Sequence, residues 1–162
     1  MAARGVHFAL TAEEYSRVMD GPGSDEDVMA FVEEIETRWD KDWLQETDKA
    51  WDAIHRCLTN GQLEYGDDPL SMCVLAHDNI YEDDDYTVCV ADADDVKQVV
   101  TAIADIDEAE MRRRYDAIYS EGYAADKSDE DFEYTWNWFV SLREFFIKAA
   151  AADRATMFTV DS

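Results

Sequence analysis

The stretch Thr47-Asp48-Lys49-Ala50-Trp51-Asp52-Ala53-Ile54-His55-Arg56-Cys57-Leu58-Thr59, followed by Asn60-Gly61, reads as one short, well-bounded helix. Thr47 or Asp48 offers a side-chain oxygen for the N-cap, and Asn60-Gly61 offers a left-handed stop. Trp51, Ile54, His55 and Leu58 fall at i, i+3, i+4 and i+7, one apolar stripe with a histidine in it. Such a stripe needs a layer to pack against.

Upstream, Gly5–Leu10 (GVHFAL) alternates and predicts a strand. Thr11-Ala-Glu-Glu14 is a capping box opening a helix to about Met19, broken by Gly21-Pro22-Gly23. Ser24 caps a second helix with Val28, Phe31, Val32 and Ile35 inward. Trp39 and Trp43 extend that spacing, and the polar Gln45–Thr47 breaks it. Downstream, Asn60 to Pro69 is loop, Leu70–Leu75 a strand or short buried segment, and His77–Asp85 an acidic loop. Tyr86–Val90 is a strand by its β-branched and aromatic content. Asp92 caps a helix over Ala93–Ala104, and Asp107 begins another through Tyr119, ended by Gly122. After an acidic loop over residues 120–130, Ser128 begins the longest helix, to about Ala152. Its stripe of Phe132, Trp136, Phe139, Leu142, Phe145, Phe146 and Ala149 is wide enough to predict burial on two sides. Ala155–Val160 closes the chain as a strand. The fold class expected is α+β: one domain over residues 1–162, with a small mixed sheet of about three to four strands packed with five to six helices.

The charge is the extreme feature. Against 14 Lys and Arg stand 39 Asp and Glu, a net charge of −25, while 47% of residues are hydrophobic. That hydrophobic fraction supports a folded core despite the repulsion. The charge opposes nucleic-acid binding and favours a basic protein partner. Asp outnumbers Glu, Arg outnumbers Lys and Ala is abundant, a bias that fits a GC-rich genome or a salt-adapted proteome. Under that reading the charge is a background trait. Cys57, Cys73 and Cys89 are odd in number and far apart, which predicts reduced thiols and a cytoplasmic location. The first apolar run is too short for a signal peptide, and no segment approaches membrane-spanning length, so no membrane association is expected.

The order of these motifs resembles the YfbM-like family, a bacterial domain of unknown function. The residues that carry the resemblance are Leu10-Thr11 with Glu13-Glu14, then Asp48-Lys49-Ala50-Trp51 with Ile54-His55 and Leu58-Thr59. Pro69-Leu70, Val96, Ile106-Asp107, Tyr115-Asp116, Trp136, Phe145-Phe146 and Ala149-Ala150 continue it along the chain. The resemblance implies a single α+β domain and no particular activity. The chain departs from the family pattern before Trp136, where an I-Y-P-type segment is replaced by Gly122–Asp131.

Several constellations bear on chemistry. His55, one turn from Asp52 and two from Asp48, has the elements of an oriented general base, with Trp51 lining a pocket beside it. A half-buried histidine beside a helical neighbour accounts for the same residues. His7, His55, His77 and the three cysteines lack metal-ligand spacing, and no metal or cofactor is expected. The acidic run ending at Asp83-Asp84-Asp85 lacks the alternation and glycine of a calcium loop. Arg112-Arg113-Arg114 is explained by helix pairs, Glu108 with Arg112 and Glu110 with Arg114. The five tryptophans read most simply as core. No phosphate-cradling glycine motif is present. The leading expectation is therefore a non-enzymatic acidic domain binding a basic protein, of immunity or inhibitor type. The alternatives are a small hydrolase or ligand-binding enzyme centred on His55 and Asp52, and a salt-adapted protein whose charge is not functional.

Overall fold

The computed structural model describes residues 3–161 apart from Pro22, His77, Ser120 and Ala124. His77, Pro22 of the helix break and two positions of the 120–130 loop thus lie outside the described residues. Strand β1 (Arg4–Leu10) leads into helices α1 (Ala12–Asp20) and α2 (Asp25–Arg38), and a single 3-10 turn (Lys41–Trp43) precedes β2 (Leu44–Asp48) and α3 (Trp51–Leu58). A long irregular stretch then reaches β3 (Asp78–Glu82) and β4 (Tyr86–Ala91). Helices α4 (Ala93–Ile103), α5 (Glu108–Asp116) and α6 (Asp129–Ala151) follow, and β5 (Ala155–Asp161) ends the order.

The strands form one sheet in the order β2-β1-β5-β4-β3, with every pair antiparallel. The α+β class and, among the described residues, the six helices match expectation. The sheet has five strands where three to four were expected, and it is antiparallel where a mixed one was expected. The two unforeseen strands, β2 and β3, are its two edges. β2 buries only Thr47, and β3 buries none of its residues. A strand with one paired flank and polar side chains carries little of the apolar alternation that marks a strand in sequence.

The central strands alternate cleanly. Phe8, Leu10, Val88, Val90 and Met157 face one side, where they pack with Val18 of α1 and Phe31, Val32 and Ile35 of α2. Ala9, Cys89, Ala91, Phe158 and Val160 face the other, where they pack with α3, α4, α5 and α6. Period-two alternation in the strands thus sorts the side chains between two helix layers. Gly5 permits a close approach on the second side, since a Cβ there would lie 2.7 Å from the Phe158 ring.

Helix starts follow the sequence closely. Thr11 and Glu14 form the complete capping box, and Ser24, Asp92, Asp107 and Ser128 each accept a backbone N–H at the third helical position. Three details differ. Trp39 does not extend α2 but ends it in the left-handed conformation, at φ 43°. α6 buries Phe132, Thr135, Phe139, Leu142, Phe145, Phe146 and Ala149, so the threonine occupies the place expected for Trp136. All five tryptophans are half-buried and lie at the margin of the two clusters, not within them. Leu70–Leu75 is buried from Ser71 onward without forming a strand.

Candidate functional site

The entry to α3 is built differently from the capped start expected. Thr47 and Asp48 belong to β2, and Ala50 stands at the N-cap without a side-chain bond. The turn is made by the backbone instead. Asp48 adopts φ 48°, and the Ala50 N–H donates to the Thr47 carbonyl at 2.9 Å. Aspartate tolerates that left-handed region better than most residues. The Asp48 carboxylate is turned to other uses: it accepts the Tyr134 hydroxyl at 2.6 Å and faces Arg4 at 3.4 Å.

His55 lies inside the molecule, with no exposed surface, and does not face a cleft. Its Nε2–H donates to the Glu64 carbonyl at 2.5 Å, and its Nδ1 has no partner among the described residues. Burial holds its pKa below the usual imidazole value. Asp52 does not orient it, for that carboxylate pairs with Arg56 Nε at 2.5 Å. A general base needs reach to a bound substrate's proton, and His55 has none. The His55–Asp52 centre is thus corrected to a structural pin and an ion pair.

Trp51 does line a cleft. A space of about 330 Å³ opens between the start of α3, Tyr123 and Ala125, and the first turns of α6. Lys49, Trp51, Asp52, Tyr123, Asp131 and Tyr134 supply its larger side chains. Each ring is anchored. Trp51 Nε1–H donates to the Ala3 carbonyl at 3.0 Å, and the Tyr134 hydroxyl, besides bonding Asp48, accepts the Lys49 N–H at 3.1 Å. The Tyr123 hydroxyl donates to Asp131 Oδ2 at 2.7 Å, and Tyr115 donates to the same oxygen at 2.6 Å. Burial, and then the neighbouring carboxylates, hold the Tyr115, Tyr123 and Tyr134 hydroxyls above the usual phenol range. They act as donors at any ordinary pH.

Arg56 sits behind this wall, 6% exposed. It bonds Asp52, donates to the Gly122 carbonyl at 3.0 Å and lies 5.6 Å from the Tyr123 ring centre. Gly122 and Tyr123, which open the stretch that departs from the family pattern before Trp136, are thus held against α3. Tyr123, Asp131 and Tyr134 escaped sequence reasoning as site residues. Their nearest signal was Ser128-Asp-Glu-Asp131, which reads only as a helix cap.

Other constellations resolve plainly. Arg112 pairs with Asp116 and Asp129 instead of Glu108, while Arg113 and Arg114 share Glu110, whose carboxyl Arg113 and then Arg114 hold down at about 2. Asp83 organises the hairpin turn between β3 and β4 by accepting the N–H groups of Asp85 and Tyr86. The three cysteines are free and buried. Among the described residues no group of His, Cys, Asp or Glu is placed to hold a metal ion, and no helix is long and apolar enough to cross a membrane.

A family model described as a domain of unknown function, DUF1877, matches residues 1–159. The crystal structure of YfbM, a protein of unknown function from Escherichia coli, is similar over 98% of this chain and 99% of its own. The two share 16% sequence identity with a TM-score of 0.67, a likeness of fold. No functionally curated protein matches the chain.

Proposed function

The chain belongs to the DUF1877 family of domains of unknown function, and from that premise we propose that it is a non-enzymatic cytosolic domain that binds a basic protein over the α3–α6 cleft. An immunity or inhibitor protein facing a cationic target is the concrete form. The observation that carries the reading is the cleft itself, whose walls are aromatic rings and whose acidic groups are Asp52 and Asp131. Around it lies a chain with 39 acidic residues against 14 basic ones. Many of those bases are already committed within the molecule: Arg4, Arg17, Arg38, Arg56, Lys97 and Arg112 through Arg114 all pair with carboxylates. Acidic charge is left facing outward. It draws in a basic partner and speeds encounter, with an effect that salt weakens.

Acidic residues occupy the first turns of α1, α2, α4, α5 and α6, so charge alone does not select a docking place. The cleft does. Partner capture on the immobilised domain from its native lysate tests the reading. A basic protein retained at low salt and released as salt rises supports it; retention of nothing basic ends it. The burial of His55 leaves the hydrolase alternative without its base. The spread of acidic residues over so many elements favours a second reading, in which the charge is an adaptation to salt. Stability that climbs continuously to molar salt would favour that account.

A further inference from the structure

We infer that the cleft between α3 and α6 receives one lysine or arginine side chain of the basic partner, its alkyl stem beside Trp51 and Tyr134 and its charge at Asp131. The inference rests on the reading that the domain binds a basic protein, and it names how that protein is held.

Three carboxylates stand at or beside the cleft, and they are not equivalent. Asp52 is matched by Arg56, and Asp48 by Arg4. Asp131 has no such cation among the described residues. Its side-chain partners are two neutral hydroxyls, those of Tyr115 and Tyr123, both on Oδ2. Hydrogen bonds from phenols steady a carboxylate without cancelling its charge, and Oδ1 keeps its accepting capacity. A half-buried carboxylate left in that state favours a cation close by.

The surroundings narrow the cation's chemistry. Trp51, Tyr123 and Tyr134 bring ring surfaces, and a ring face attracts ammonium and guanidinium groups. The space of about 330 Å³ is small, suited to one side chain and not to an inserted helix. Lysine and arginine combine an apolar stem with a charged tip, which matches apolar walls ending at a carboxylate. The hydrogen bonds on Trp51, Tyr123 and Tyr134 fix the rings beforehand, so binding spends little entropy on arranging them. Arg56 does not compete for the role, because Asp52 and the Gly122 carbonyl take up its charge, and Lys49, which also lines the cleft, makes no ion pair with Asp131 among the described residues. A protein side chain is favoured over a free amine, because the rest of a basic partner also meets the acidic surface of a chain carrying −25.

The test is an NMR titration of the full chain, following the Trp51 indole N–H, identified by its loss in Trp51→Phe. The probes are acetyl-Gly-Lys-Gly-amide, acetyl-Gly-Arg-Gly-amide and the uncharged acetyl-Gly-norleucine-Gly-amide. A saturable shift with the lysine or arginine peptide is expected, with the norleucine peptide at least about tenfold weaker. Asp131→Asn should weaken the charged peptide by about as much. Ala125→Trp, which narrows the cleft without touching the bonds to Asp131, should abolish the shift even if Asp131→Asn fails to fold. Asp84→Asn, in the distant hairpin turn, should leave it unchanged. An unmoved Trp51 signal, or equal binding of the norleucine peptide, overturns the inference. Decalysine separates the two levels. If it binds in a salt-dependent way with Trp51 unmoved, the basic-partner reading stands and the cleft is not its anchor. If it does not bind, both fall.

Discussion

His7 Nε2–H donates to the carbonyl oxygen of Cys73 at 2.9 Å, so that a side chain of β1 fixes a residue 66 positions further on. His55 treats Glu64 in the same way. Together the two imidazoles pin the irregular stretch between α3 and β3, whose residues Met72 to Ala76 are buried although they form no strand. Backbone without a ladder needs other partners when it is buried, and here two histidines supply some of them. A carbonyl only accepts, so each ring carries its proton on Nε2. Each Nδ1 is buried without a partner among the described residues.

Acid should therefore loosen the protein. Burial lowers the folded-state pKa of His7 from 6.5 to about 4 and moves that of His55 in the same direction. The unfolded chain takes up these protons first. Stability from the neutral rings is complete above pH 6.5 and is lost as pH falls toward the folded values. The slope is at most about 1.4 kcal/mol per pH unit for each histidine. Neutralisation of surface carboxylates relieves repulsion and opposes this, so denaturant unfolding is best followed at about 1 M salt, where the Debye length is about 3 Å. His7→Gln should flatten part of the slope; an unchanged slope would remove His7 from the account.

Gly61 should resist substitution. It takes φ 85°, and a Cβ there would stand 2.9 Å from the Ala117 carbonyl. Gly122 has the same φ with nothing within 4 Å among the described residues. Gly122→Ala should therefore cost only the left-handed penalty, about 1–2 kcal/mol. Gly61→Ala should cost more, because α5's end must also move. Equal midpoints in urea unfolding would contradict the comparison.

The thiols should be silent. Burial pushes Cys57 and Cys89 up to about 12, and Cys73 rises for the same reason. Reactivity needs thiolate and access together. A colorimetric thiol reagent at about pH 8 should find almost nothing in the native protein and all three cysteines after denaturation. Prompt labelling of a native thiol would show that the second helix layer opens readily.

What the sequence disclosed depends on how local the physics is. Caps at Thr11, Ser24, Asp92, Asp107 and Ser128 are set by residues within one turn, and each stands where it reads. Edge strands β2 and β3 are held by pairing with β1 and β4, so their own residues announce little. The cleft is less local still. The Tyr134 hydroxyl meets Asp48 across 86 residues, and no spacing rule reaches that far. His55 looked chemical because sequence shows its helical neighbours and not the Glu64 carbonyl that occupies it.

Arg56 offers the sharpest test of how the cleft wall is held. Its planar group bonds Asp52 and the Gly122 carbonyl at once and lies over the Tyr123 ring. A lysine keeps the charge but not that fork, and the change is not conservative at such a site. Arg56→Lys should lower stability by about 1–3 kcal/mol, the usual range for a charged hydrogen bond lost from a buried place. The loss should also be local. Amides around Tyr123 should exchange faster with deuterium, while those of β1, β5 and β4 keep their protection. Faster exchange across the central strands as well would mean that Arg56 supports the whole helix layer and not this wall alone.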